Sequence, residues 1–100
     1  MFSEKELNSI DCKYFNIIQA GCYAVTIQSK NTKHYWHIIH ESYPTYESCH
    51  IEHKHKYSDE YHIHRNQPTL SKAIKEIKKH DKYQLTFRNK KSRSACTPQD

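Results

Sequence analysis

Between Thr69 and Leu70 the spacing of apolar residues changes period, and that change decides which folds are open to the chain. Upstream, Tyr23, Val25 and Ile27 alternate with Ala24, Thr26 and Gln28, the period of two expected of a half-buried strand. Downstream, Leu70, Ala73, Ile74 and Ile77 recur at i, i+3, i+4 and i+7, which collects them on one stripe of a helix. Thr69, after Pro68, is a natural N-cap, so the spacing predicts an amphipathic helix over residues 70–80. Strands followed by a helix with one apolar stripe give an α+β domain, the helix covering one face of an antiparallel sheet.

The remaining elements follow from local signals. Ser3 and Glu6 make a capping box, and Phe2 and Leu7 stand where a hydrophobic staple needs them, which predicts a short helix to about Ile10. Asp11 to Ile18 turns through Gln19, Ala20 and Gly21 into Cys22 to Ser29, a hairpin. Asn31, Thr32 and Lys33 make a second turn, and His34 to His40 is a third strand rich in aromatic and β-branched residues. Beyond Pro44, Tyr46–Lys56 and Glu60–His64 form another hairpin around Tyr57, Ser58 and Asp59. Tyr83, Leu85 and Phe87 alternate with Gln84 and Thr86 and predict a last strand. The expectation is one α+β domain over residues 1–88, with five or six strands, the basic helix across one face and the short N-terminal helix at an edge. A disordered basic tail over 89–100 follows. With 35% hydrophobic residues and eight tyrosines in 100 residues, the core is thin and amphipathic. The order helix, strands, helix resembles the double-stranded-RNA-binding domain in topology alone; none of that family's motifs is present, so no residue role follows from it.

Charge is segregated. Residues 65–93 hold ten Lys and Arg against two acids, Glu76 and Asp81, whereas residues 1–64 hold six against eight. A field of this kind recruits polyanions by steering and counterion release. Arg65, Lys72, Lys75, Lys78, Lys79, Lys82, Arg88, Lys90, Lys91 and Arg93 are the candidate nucleic-acid contacts. Lysine outnumbers arginine and no zinc-finger or helix-turn-helix spacing occurs, so contact with the DNA or RNA backbone is expected rather than base reading. The competing explanation of such a run is a solvated face that maintains solubility. The expected function is that of a small non-enzymatic nucleic-acid-binding accessory protein, its character similar to that of proteins encoded by bacterial mobile elements. Two alternatives stay open: an inhibitor or adaptor of antirestriction or anti-CRISPR type that masks a nucleoprotein complex, and a small metal-independent ribonuclease with His37 or His40 as general base.

The nine histidines include two His-x-His pairs, His53/His55 and His62/His64, that resemble metal ligands. Parity argues against them. A register that gathers all four imidazoles on one face sends Ile63 and Tyr61 away from Ile51, whereas a shift of one residue joins Ile51, Ile63 and Tyr61 with His53 and His55. The expectation is therefore a coherent apolar face, no metal site and no cofactor. His34, His37 and His40 around Trp36 read as a wet sheet face. Cys12, Cys22, Cys49 and Cys96 show no C-x-x-C spacing, and no signal segment or membrane-spanning run precedes them; free thiols and a cytoplasmic location are expected.

Overall fold

In the computed structural model, which describes residues 1–88, a five-stranded antiparallel meander carries one long helix on one face. The elements run α1 (Glu4–Asn8), β1 (Phe15–Ala20), β2 (Ala24–Ser29), β3 (Tyr35–Ser42), β4 (Glu47–Lys54), β5 (His62–Ile63) and α2 (Leu70–Tyr83). The strands lie side by side in chain order. Among the described residues no helix is long and apolar enough to cross a membrane. The expected α+β class holds, as does the element order through α2.

Alternation builds the core. Val25 pairs with Ile38, which pairs with Ile51; one row over, Ile27 pairs with Trp36 and Trp36 with His53. All six are buried, and Leu70, Ala73 and Ile77 close over them from α2 as the stripe at i, i+3 and i+7 requires. Phe2, Ile10 and Phe15 seal one side. Thr69 caps α2 as expected, its hydroxyl accepting from the Lys72 N–H.

The expected last strand needs correction. Gln84–Arg88 forms a π-helical turn continuing α2 instead of a sixth strand. The backbone N–H of Gln84 donates to the carbonyls of His80 and Asp81, so the chain there already has helical partners and needs no strand neighbour. The tail expected over residues 89–100 lies outside the described residues.

The capping box of α1 is present in both halves: the Glu6 N–H donates to Ser3 Oγ at 3.0 Å, and the Ser3 N–H donates to Glu6 Oε1 at 2.8 Å. Nothing within α1 is buried, but the helix connects Phe2 to Ile10, which are. Ser3→Ala should therefore cost about 1 kcal/mol, read as a shift in the denaturant midpoint. An unchanged midpoint would show that Phe2 and Ile10 dock without help from the cap.

Candidate functional site

The register of the β4–β5 hairpin determines what the domain can do. His53 pairs with His62 and Glu52 with Ile63, and the His64 N–H donates to the Ile51 carbonyl at 2.8 Å. This is the parity that gathers the imidazoles, opposite to the one expected. Ile63 is 71% exposed, and Tyr61 packs edge-on to His37 on the face away from the helix. Cys49 and Gln67 exchange two backbone hydrogen bonds in the opposite parity to the His53–His62 pair, so one extra residue is taken up between the two pairings, and β5 itself is only two residues long. An edge strand so short gains little from burying one isoleucine, whereas the imidazoles gain stacking partners.

His53 is at the centre of the resulting cluster. It is 2% exposed, and its ring stacks on that of Trp36 with centroids 4.1 Å apart. His34, His55, His62, His64 and His80 surround it at centroid distances of 4.9 to 6.1 Å. His34 stacks in turn on His55, 4.1 Å away and nearly parallel.

The nitrogens converge as well as the rings. His53 Nε2 lies 3.1 Å from His34 Nδ1, and His53 Nδ1 lies 3.4 Å from His62 Nε2. His34, His53 and His80 each offer a ring nitrogen such that all three lie within 4.8 Å of one another, the arrangement from which a metal ion could be held. Among the described residues, His80 Nδ1 and His64 Nε2 are buried with no hydrogen-bond partner, the nearest carboxylate to the latter being Glu76 Oε2 at 3.8 Å.

Three separate segments supply His34, His53 and His80, and a buried carboxylate ties two of them. Asp81, the neighbour of His80, accepts from the Thr32 hydroxyl at 3.0 Å and from the Tyr14 hydroxyl at 2.8 Å. Asn31 Nδ2 donates in turn to the Tyr14 oxygen at 3.2 Å. Thr32 sits in the β2–β3 turn, where Lys33 adopts a left-handed φ of 66°, and the Thr32 hydroxyl also accepts from the His34 N–H. The turn that presents His34 is thereby tied to the helix that presents His80.

Burial sets the protonation of the group. It pushes His53 down to about 2, with the neighbouring imidazoles adding to the effect. It also lowers His64 and His80, against partial opposition from Glu76 and Asp81. At neutral pH these three are uncharged, each with one N–H and one lone pair. Burial and the Asp81 contact together push Tyr14 up to about 12, the opposing Asn31 bond notwithstanding, so Tyr14 remains a hydroxyl donor.

The lysines form a second candidate surface. Lys72, Lys75, Lys79 and Lys82 are exposed on α2, on an arc diametrically opposite the stripe of Leu70, Ala73 and Ile77. Lys78 is half-buried and turned aside, its Nζ 3.8 Å from Asp11 Oδ2 and 4.9 Å from the centre of the Tyr14 ring. Arg65 is exposed in the connection from β5 to α2, and Arg88 ends the π-helical turn. Lys90, Lys91 and Arg93 lie outside the described residues.

His37 and His40, the two candidates for a general base, lie on opposite faces of β3. His37 Nδ1 is 3.2 Å from Thr26 Oγ1, while His40 pairs with Glu47 at 3.0 Å and packs edge-on against Phe2. Cys12, Cys22 and Cys49 are free thiols, and burial pushes Cys49 up to about 11, far from a reactive thiolate. Cys96 lies outside the described residues. Sequence reasoning passed over His34 and His80 as members of the site, although His34 shares the parity of Trp36 and His80 extends the buried stripe by i+3 from Ile77. No protein-family model, curated protein or solved structure matches this chain.

Proposed function

We propose that the protein is a non-enzymatic nucleic-acid-binding accessory protein that grips the phosphate backbone of DNA or RNA, alone or within a nucleoprotein complex, through the exposed lysine face of α2. The observation that supports this reading most directly is the arc of Lys72, Lys75, Lys79 and Lys82, which stand clear of the packed stripe and have no acidic partner among the described residues. Packing of Leu70, Ala73 and Ile77 leaves these four side chains nowhere to go but outward. From Lys72 to Lys82 the helix rises about 15 Å, the length of roughly four phosphates along one strand of a duplex. Arg65 lies just before the helix and Arg88 just after it, and Lys90, Lys91 and Arg93 extend the same positive stretch of sequence. Ammonium groups on flexible stems neutralise phosphate without reading bases, so binding of this kind is strongly salt-dependent and weakly sequence-dependent.

The test is an electrophoretic-shift series across salt, using duplex DNA and single- and double-stranded RNA of mixed sequence. Replacing Lys72, Lys75, Lys79 and Lys82 together with Gln should weaken binding and flatten the slope of log K against log salt by roughly 0.7–0.9 for each phosphate no longer neutralised. Melting curves should stay as they are, because none of the four side chains is packed. Equal affinity and slope in the folded quadruple variant would remove the lysine face from consideration.

A further inference from the structure

We propose that His34, His53 and His80 form a binding site for one divalent transition-metal ion of the zinc class. The inference stands apart from the lysine face and holds or fails independently of it. Zinc–imidazole bonds of 2.0–2.1 Å in a tetrahedral site place ligand nitrogens roughly 3.3 Å apart. His53 Nε2 and His34 Nδ1 are already 3.1 Å apart, and the third nitrogen, from His80, lies within 4.8 Å of both. Closure around an ion would draw the His80 nitrogen toward the other two, and His34 and His80 are both only half-buried.

The hydrogen-bonding pattern agrees with that assignment. His53 is a neutral ring with a single N–H, and its Nδ1 faces His62 Nε2 at 3.4 Å. Placing the proton there leaves the Nε2 lone pair directed at His34, which is the tautomer a metal ligand needs and the outer hydrogen bond that ligating histidines commonly make. His80 Nδ1 is buried without a hydrogen-bond partner among the described residues, a costly state unless another group supplies one. Three imidazoles with no carboxylate among them suit zinc, copper or nickel and do not suit magnesium or calcium. Three protein ligands leave a coordination position open, and the exposed His55 and His62 rings mark the side of the cluster that faces solvent. Because the ligands come from the β2–β3 turn, β4 and α2, the ion would cross-link helix to sheet.

The experiment uses the full chain, freed of any affinity tag and stripped with a chelator, titrated calorimetrically with zinc and optically with cobalt(II). The expected result is one ion per chain, the visible cobalt bands of a four-coordinate nitrogen-rich site, and a chelator-reversible rise in melting temperature. His34→Gln and His80→Gln should each weaken zinc binding at least about tenfold. His37→Gln and His50→Gln, whose side chains lie on the opposite face of the sheet, should not. Several weak, equivalent sites, or equal affinity in all four variants, would identify adventitious binding to surface histidines and overturn the proposal. Should the His34 and His80 variants fail to fold, the unsubstituted chain still decides the matter: absence of a one-to-one isotherm and of any melting shift overturns it.

Discussion

Trp36→Ala should lower the free energy of unfolding by about 3–5 kcal/mol, the largest loss expected of any single truncation in this domain. Trp36 is fully buried, holds Ile27 on one side and His53 on the other in the strand ladder, and is the surface on which the His53 ring lies. His64 and His80 meet its edge at 5.3 and 5.2 Å. Truncation would open a cavity beneath the imidazoles and remove the stacking partner of the most buried one. A domain of this size is stable by only about 5–15 kcal/mol, so much of the population would unfold on mild heating. Trp36→Phe should retain most of the stability, because it keeps a ring against His53 and discards an indole N–H that is buried without an acceptor among the described residues. Denaturant titration checks both variants. A loss below about 1 kcal/mol in Trp36→Ala would mean that the cluster does not rest on the indole.

How much of this was legible in the sequence depends on where burial had a clear periodic signature. The stripe of Leu70, Ala73 and Ile77 and the alternation of Val25 and Ile27 announced the faces they occupy, because each segment is long enough for its period to be read. Ser3 and Glu6 announced the first helix because a capping box is local chemistry that no distant contact has to complete. Leu85 and Phe87 misled: three alternating residues cannot be told from the last turn of a helix when the helix can simply continue into it. Tyr61 and Ile63 misled for a different reason. The parity argument assumed that apolar burial selects the register, and in a two-residue edge strand it does not; the edge-on contact of His62 with His53 favours the observed pairing, and a one-residue offset before Cys49–Gln67 absorbs the difference. The cluster itself had a signal that periodicity alone left unread. Asp81 falls at i+4 from Ile77 and His80 at i+3, so two polar residues continue a buried stripe. Such residues are tolerated only where partners are built around them, and those partners, Tyr14, Thr32, His53 and Trp36, come from segments far away in sequence.

Acid should destabilise the metal-free chain well above the range in which carboxylates titrate. His53 has a folded-state value of about 2 against 6.5 in the unfolded chain, because burial and the rings of His80, His34, His55 and His62 all disfavour its charged form. Between those values the unfolded chain binds a proton that the folded chain refuses, so stability is fully present above pH 6.5 and is lost as the pH falls below it. The slope for His53 alone approaches about 1.4 kcal/mol per pH unit, or roughly 2 kcal/mol between pH 6.5 and 5. His64 and His80 act in the same direction, since burial lowers both, while Glu76 beside His64 and Asp81 beside His80 restrain the effect without reversing it. Unfolding curves in chelator at pH 7, 6 and 5 measure the sum. The window lies above the carboxylate range, so a fall within it reports histidine burial rather than general acid denaturation. His53→Gln, if it folds, should flatten the dependence by removing its largest contributor. Stability that stays level from pH 7 to pH 5 in the unsubstituted chain would contradict a buried neutral His53, and with it the register that places this ring between Trp36 and His62.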